Sequence, residues 1–318
     1  MPRFRGIFFE DDETFMKKNL IVILGPTASG KTSLAVRLAA DLQSEVISAD
    51  SRQVYKGMDI GTGKDLSEYQ INGKIIPHHL IDVLEPAKEF NVFEFQRQFY
   101  AIFNALRERQ ILPVLVGGTG LYLESVLTDY FMPHALQDDR LRAELAEKSV
   151  NELQDMLKAM KSDLHNKTDL EDRERLIRKI EIEKARQNPS GAKRQKPVIH
   201  AAIFGIRWDM DTLRQRIAVR LRQRMDEGMI EEVSRLHEDG LSWARLDSFG
   251  LEYRYISRYL NHEIAKDEMI TKLQIAIGQF AKRQMTWFRR MEKKGVSILW
   301  IDGNDYPSLH RRVIEILL

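Results

Sequence analysis

Residues 25 to 32 read Gly25-Pro26-Thr27-Ala28-Ser29-Gly30-Lys31-Thr32, a full match to the phosphate-loop pattern, and they follow the apolar run Leu20-Ile21-Val22-Ile23-Leu24. This spacing serves the binding of a polyphosphate. The glycines let the backbone curl so that successive N–H groups face one anion, Lys31 adds a point charge, and Thr32 offers a hydroxyl to Mg2+. Gly25, Thr27, Ala28, Ser29, Gly30, Lys31 and Thr32 are therefore the candidate anion-binding set, with Thr32 also the candidate metal ligand. A P-loop ATPase adds a later strand ending in an acid. Here the best candidate for that strand, Ile111-Leu112-Pro113-Val114-Leu115-Val116, runs instead into Gly117-Gly118-Thr119-Gly120. The acid lies elsewhere, at Asp50, where the strand-like Glu45-Val46-Ile47-Ser48 ends. In an open parallel sheet ligands sit at the strand C-termini, so Asp50, Thr119 and the glycine loop should face one cleft.

The elements that must position these groups follow from the pattern around them. Residues 20–128 alternate strand-like runs with helical ones, which implies an α/β fold with a parallel sheet covered by helices. Val92 to Glu108 is such a helix, with Phe95, Phe99, Ile102 and Leu106 at core spacing. Pro77 to Val83 reads as a further buried strand entered by His78 and His79; neighbours on a strand point to opposite faces, which argues against a two-His metal site. From Asp129 to Val198 the texture turns charged and helix-favouring, as in Arg140 to Lys148 and Glu171 to Arg186, closed by the linker Asn188 to Lys193. This reads as an all-helical insertion hinged near Asp129 and Pro197. Ile199 to Ile206 then returns as a strand, and helices fill Thr212 to Glu238 and Lys266 to Met291. In the first of these Leu213, Ile217, Leu221 and Met225 make a core stripe, while Arg216, Arg220 and Arg224 form an adjacent stripe able to reach the cleft edge. The expected division is an N-terminal extension at 1–18, a core at 19–128 and 199–318, and the insertion at 129–198.

Composition narrows the setting. The chain has 318 residues, a formal net charge of +2 and no cysteine, which excludes a disulfide scaffold and any Cys-ligated zinc site. No apolar run reaches the roughly 18 residues of a membrane span. Arginine is locally dense between Arg207 and Arg224, and Lys282-Arg283-Gln284-Met285-Thr286-Trp287-Phe288-Arg289-Arg290 mixes cations with aromatics. Such stretches suit a nucleic-acid backbone with bases to stack on, and equally a solvated helix face.

The ordered set of the phosphate loop, Asp50-Ser51-Arg52-Gln53-Val54-Tyr55-Lys56-Gly57-Met58-Asp59-Ile60-Gly61-Thr62, Pro77-His78-His79-Leu80-Ile81-Asp82, Gly117-Gly118-Thr119-Gly120-Leu121-Tyr122 and Lys282 to Trp287 closely resembles the tRNA dimethylallyltransferases. The resemblance covers nearly everything after residue 19. It implies a P-loop NTPase-like core with a helical, tRNA-clamping insertion, and transfer of a dimethylallyl group from its diphosphate to N6 of the adenosine 3′ of the anticodon, position 37 of the tRNA. By the same resemblance Asp50 takes the proton from the attacking amine, Thr119 contacts the diphosphate or orients the base, and Arg220 steadies the leaving group. Ser51, Arg52 and Gln53 would contact a base turned out of its stack. Arg142 and Glu174-Arg175-Leu176-Ile177-Arg178 match positions that grip the anticodon stem-loop. One run departs from the family: Gly250-Leu251-Glu252 separates the glycine from Tyr253 and Arg254, both expected to meet tRNA. The missing Cys-ligated zinc finger points to the bacterial type. A Mg2+-dependent, cytoplasmic, monomeric enzyme is the resulting expectation. A P-loop kinase of a nucleoside or RNA hydroxyl is the alternative, and a nucleotide-switched RNA-binding module is a non-enzymatic one.

Overall fold

The computed structural model describes residues 18–128, 139–160, 173–187 and 196–318. Residues 1–17 of the extension expected at 1–18, the hinge at Asp129 and the linker Asn188 to Lys193 lie outside the described residues. In chain order the elements are β1 (Leu20–Leu24), α1 (Lys31–Asp41), β2 (Val46–Ser48), a hairpin of β3 (Gln70–Ile71) and β4 (Lys74–Ile75), β5 (His78–His79), α2 (Val92–Glu108), β6 (Val114–Gly117) and α3 (Gly120–Leu127). Among the described residues that follow are α4 (Asp139–Ala146), α5 (Val150–Ala159) and α6 (Arg173–Gln187). The chain then returns as β7 (Ala201–Arg207), α7 (Met210–Asp226), α8 (Met229–Glu238), α9 (Trp243–Ser248), α10 (Leu251–Leu260), α11 (Lys266–Lys293), β8 (Leu299–Asp302) and α12 (Tyr306–Leu317).

Six strands form one parallel sheet in the order β5-β2-β6-β1-β7-β8. β1 lies inside it, Ile21 opposite Val114 of β6 and Leu20 opposite Ala201 of β7. A strand covered on both faces must be apolar throughout, and all five residues of β1 are fully buried. Ile21 and Ile23 pack on one face with Leu34 and Leu38 of α1 and Leu309 and Val313 of α12. Leu20, Val22 and Leu24 face Phe95, Phe99, Phe103 and Leu106 of α2, with Phe288 and Met291 of α11. Phe103, and not the half-buried Ile102, completes the α2 core stripe.

Two readings of the sequence need correction. Only His78 and His79 of the Pro77 to Val83 run pair as a strand, because Leu80 and Asp82 take left-handed backbone conformations (φ 62° and 54°) that end the ladder. The single helix expected over Thr212 to Glu238 is two, divided at Gly228, whose φ of 95° no helix interior accepts.

The described residues divide into two compact units, one of those up to Thr128 with Pro197–Leu318, the other within Asp129–Lys196. Val198 belongs to the first unit: its carbonyl accepts from Asn19 Nδ2 (2.8 Å), and His200 N donates to Asn19 Oδ1 (2.7 Å). In the second unit, Leu141 and Leu145 of α4, Leu153 and Leu157 of α5, and Leu176, Ile177 and Ile180 of α6 make one apolar core. A capping box opens α5: Glu152 N donates to Ser149 Oγ (3.3 Å) and Ser149 N to Glu152 Oε2 (2.7 Å).

Candidate active site

The cleft opens where β1, β2 and β6 end. After Leu24 the chain bends through Ala28 (φ 60°) and Gly30 (φ 84°), and α1 starts at Lys31, so the loop sits at the positive end of a helix. Side chains from later in the chain hold the loop from outside. Trp208 Nε1 donates to Ser29 O (3.0 Å), Arg216 Nε to Ala28 O (2.8 Å), and Thr27 N to Gln284 Oε1 (2.8 Å), while Gln284 Nε2 donates to Gly118 O (2.9 Å). That last pair explains Gly118, where a Cβ would lie 2.4 Å from Gln284 Nε2. At Gly117 it would lie 2.3 Å from Ala49 O, so the glycine motif after β6 is a packing demand of β2 and α11.

Asp50 follows β2 and turns the chain back over it, its Oδ1 accepting from Arg52 N (2.8 Å) and Gln53 N (3.4 Å). Ser51 N donates to Thr119 Oγ1 (3.1 Å), which ties the β2 and β6 ends together. Thr27, Lys31, Thr32, Asp50, Ser51, Arg52, Gln53, Thr119 and Arg220 all line one cleft of about 200 Å³. Gln53 is nearly buried, accepts from Ser48 Oγ (2.9 Å) and donates to Gly63 O (2.9 Å), so it shapes the wall of the cleft it lines. Tyr253, buried with its hydroxyl donating to Glu232 Oε1 (2.7 Å), also lines the cleft. Arg254 turns to Asp247 (3.1 Å) and does not line the cleft.

Part of the cleft wall rests on buried charged groups that local sequence pattern does not mark. Glu232, 2% exposed, accepts from the N–H groups of Asp59 (2.7 Å), Ile60 (2.7 Å) and Gly61 (3.0 Å) as well as from Tyr253. Lys64 is fully buried and donates to Tyr55 O (2.6 Å), Asp59 Oδ1 (2.6 Å) and Asp82 Oδ1. Arg224 and Glu252 also line the cleft. In the sequence these last two belong to the basic stripe on α7 and to the run that departs from the family pattern.

Burial lowers the Lys31 ammonium to about 8 from its ordinary 10.5; Arg220 adds to the shift and Asp50 opposes it. Below about pH 8 Lys31 is charged folded or unfolded, and the cost of burying that charge is carried in full. Between about 8 and 10.5 the folded chain gives up the proton first, the unfolded state holds more protons, and the ligand-free protein gains stability as pH rises. Binding runs the other way, because the cation that meets the anion is lost. Affinity for inorganic diphosphate, measured by titration calorimetry, is therefore expected to fall steadily above about pH 8, and an affinity flat up to pH ~9.5 would contradict this assignment of Lys31.

Thr32, at the first turn of α1, lines the cleft. Among the described residues no group of three His, Cys, Asp or Glu side chains gathers to hold an ion alone. That donor set suits a hard cation shared with phosphate oxygens, as Mg2+ is usually bound.

On the second unit, Arg142 Nε donates to Glu181 Oε1 (2.8 Å) and Arg178 Nη1 to Glu181 Oε2 (3.0 Å). Glu174 and Arg175 are exposed. Leu176 (0% exposed) and Ile177 (3%) belong to the core of this unit, so the expectation that they touch tRNA is corrected: at helical spacing they face inward while their polar neighbours face out.

A glycine loop heading a helix, a carboxylate at the next strand end and a convergent arginine, all at the C-terminal edge of a parallel sheet, are the features of a P-loop-type α/β core. The chain belongs to the IPP transferase family, whose model matches residues 53–291, with a second model described as isopentenyl transferase matching 18–73. It is 53% identical over 304 residues to tRNA dimethylallyltransferase 1 of Syntrophus aciditrophicus, covering 94% of this chain and 98% of that protein. It is 52% identical to tRNA dimethylallyltransferase 2 of Trichlorobacter lovleyi, covering 93% and 96%. A solved tRNA isopentenylpyrophosphate transferase from Bacillus halodurans superposes with a TM-score of 0.68 at 32% identity, covering 95% of this chain and 97% of that one. A eukaryotic dimethylallyltransferase shares the fold at a TM-score of 0.74 and 23% identity, covering 93% and 78%.

Proposed function

We propose that the protein transfers a dimethylallyl group from dimethylallyl diphosphate to N6 of the adenosine 3′ of the anticodon in tRNA. The observation that carries this reading is the meeting of an anion cradle and the Asp50 carboxylate in one cleft. The N6 amine attacks the first carbon of the dimethylallyl group, the bond from that carbon to the diphosphate oxygen breaks, and the diphosphate leaves with the electron pair. The N6 proton passes to Asp50. Lys31, the N–H groups of the loop and Arg220 meet the charge that grows on the leaving oxygen, and Thr119 fixes the turn that aims Asp50. Mg2+ held by Thr32 and the phosphate oxygens would supply further positive charge there. The exposed polar face of α6, with Arg142 and Arg178, is assigned to the anticodon stem-loop. The reading includes a monomer that works in the cytoplasm, where its tRNA substrate is.

Mass spectrometry of tRNA fragments after incubation with the protein, Mg2+ and either dimethylallyl diphosphate or ATP tests the reading. One isoprene unit on the anticodon-loop adenosine supports it, and a phosphate gained from ATP would replace it with a kinase. A second expectation concerns the insertion: Arg142→Ala and Arg178→Ala should each weaken tRNA binding and lower the slope of log affinity against log salt by about 1, with diphosphate affinity unchanged. Unaltered slopes in both variants would remove these arginines from the RNA contact.

A further inference from the structure

Arg224 is a charged side chain in the cleft wall to which the reaction as written gives no part. It is 8% exposed, and neither its Nε nor its Nη2 has a hydrogen-bond partner. An oxygen of Asp65 lies 3.7 Å from Nη2, but that oxygen already accepts from Arg220. A buried guanidinium left in this state is costly, and a fold that keeps one has a counter-charge for it from elsewhere.

Its surroundings say what that counter-charge is. Arg220 lies one helical turn before Arg224 on α7, and a Cβ built on Gly63 (φ 64°) would come within 1.6 Å of Arg224 Nη2 and 2.9 Å of Arg220 Nη2. The two guanidiniums thus meet over one glycine of the cleft wall. Lys31 feels both of them as repulsion. Carboxyls also lie near these cations, and burial pushes two of them, Glu68 and Glu252, toward the neutral form. The cleft therefore brings three cations together, and the carboxylates beside them leave the Nε and Nη2 hydrogens of Arg224 unfilled.

We propose that Arg224 is a second arginine for the donor's diphosphate, its Nε and Nη2 hydrogens donating to oxygens of the group that the phosphate loop and Arg220 also hold. The planar fork of an arginine is suited to two phosphate oxygens at once. The assignment rests on the reading of the cleft as a prenyl diphosphate site, and it adds to that reading a residue that touches the leaving group.

The test uses Arg224→Met, which removes the charge at similar length, with Arg224→Lys and Lys31→Ala beside it, all in the full-length protein with Mg2+. Inorganic diphosphate affinity is read by calorimetry, tRNA affinity by filter binding, and ligand-free stability by thermal melting. The expected result for Arg224→Met is at least ~10-fold weaker diphosphate binding, from the loss of charge-assisted hydrogen bonds. Its tRNA affinity should be unchanged and its ligand-free Tm equal or higher, since a buried cation with unfilled hydrogen bonds has gone. Arg224→Lys should recover part of the affinity. Unchanged diphosphate binding in Arg224→Met overturns the proposal if Lys31→Ala weakens it; if neither variant changes it, the diphosphate reading of the cleft falls as well. A weakening confined to tRNA would overturn it in favour of an RNA phosphate, and a fall in Tm with both affinities lost would overturn it in favour of a structural role.

Discussion

Asp50→Asn is expected to lower turnover at least ~100-fold, the low end for a positioned general base, while tRNA affinity and Tm stay near their wild-type values. The asparagine is the sharper variant because Asp50 Oδ1 also organises the turn, accepting from Arg52 N and Gln53 N. An asparagine oxygen can accept those same two bonds but has no basicity with which to take the N6 proton. Asp50→Ala would lose both the base and the turn, and its defect should exceed that of Asp50→Asn. Single-turnover kinetics with preformed tRNA complex isolates the chemical step, and near wild-type rates for Asp50→Asn would remove Asp50 from proton transfer.

The largest effect on stability is expected at Glu232. Glu232→Ala leaves the N–H groups of Asp59, Ile60 and Gly61 and the Tyr253 hydroxyl without their acceptor. Each buried polar group so abandoned costs about 1–3 kcal/mol, partly relieved by water entering the space left behind. A loss of about 3–5 kcal/mol is the expected outcome by urea unfolding, in the range seen when a buried charge network is broken. The cleft wall at Gly61 to Gly63 should loosen with it, so hydrogen exchange there should rise before global unfolding. A destabilisation below ~1 kcal/mol would show that the loop keeps its shape without Glu232.

How much of this was legible beforehand depends on whether a group acts through local pattern or through distant packing. The phosphate loop, the strand before it and the helix after it are read from adjacent residues, and β1 and α2 fall on the expected bounds. Asp50 and Thr119 could be placed in one cleft because strand ends in a parallel sheet share an edge. Gln284, Trp208 and Glu232 could not be assigned their roles that way: each acts on backbone more than 160 residues away in the chain. β8 went unread because Leu299–Asp302 is a short edge strand with no alternation to mark it. Leu176 and Ile177 show the reverse error, in which matching a run of positions to a family swept buried residues in with exposed ones.

The strand order also bears on how the chain is made. β1 can pair with β6 as soon as Gly117 has emerged, but its other edge waits for Ala201 of β7, about 80 residues later. At ordinary rates of synthesis that interval is roughly 4–17 s. Throughout it, the sheet presents an open apolar edge of the kind that recruits other chains. Soluble yield should therefore be governed by that interval, rising with co-expressed holdase chaperones and with cooler growth that slows aggregation more than synthesis.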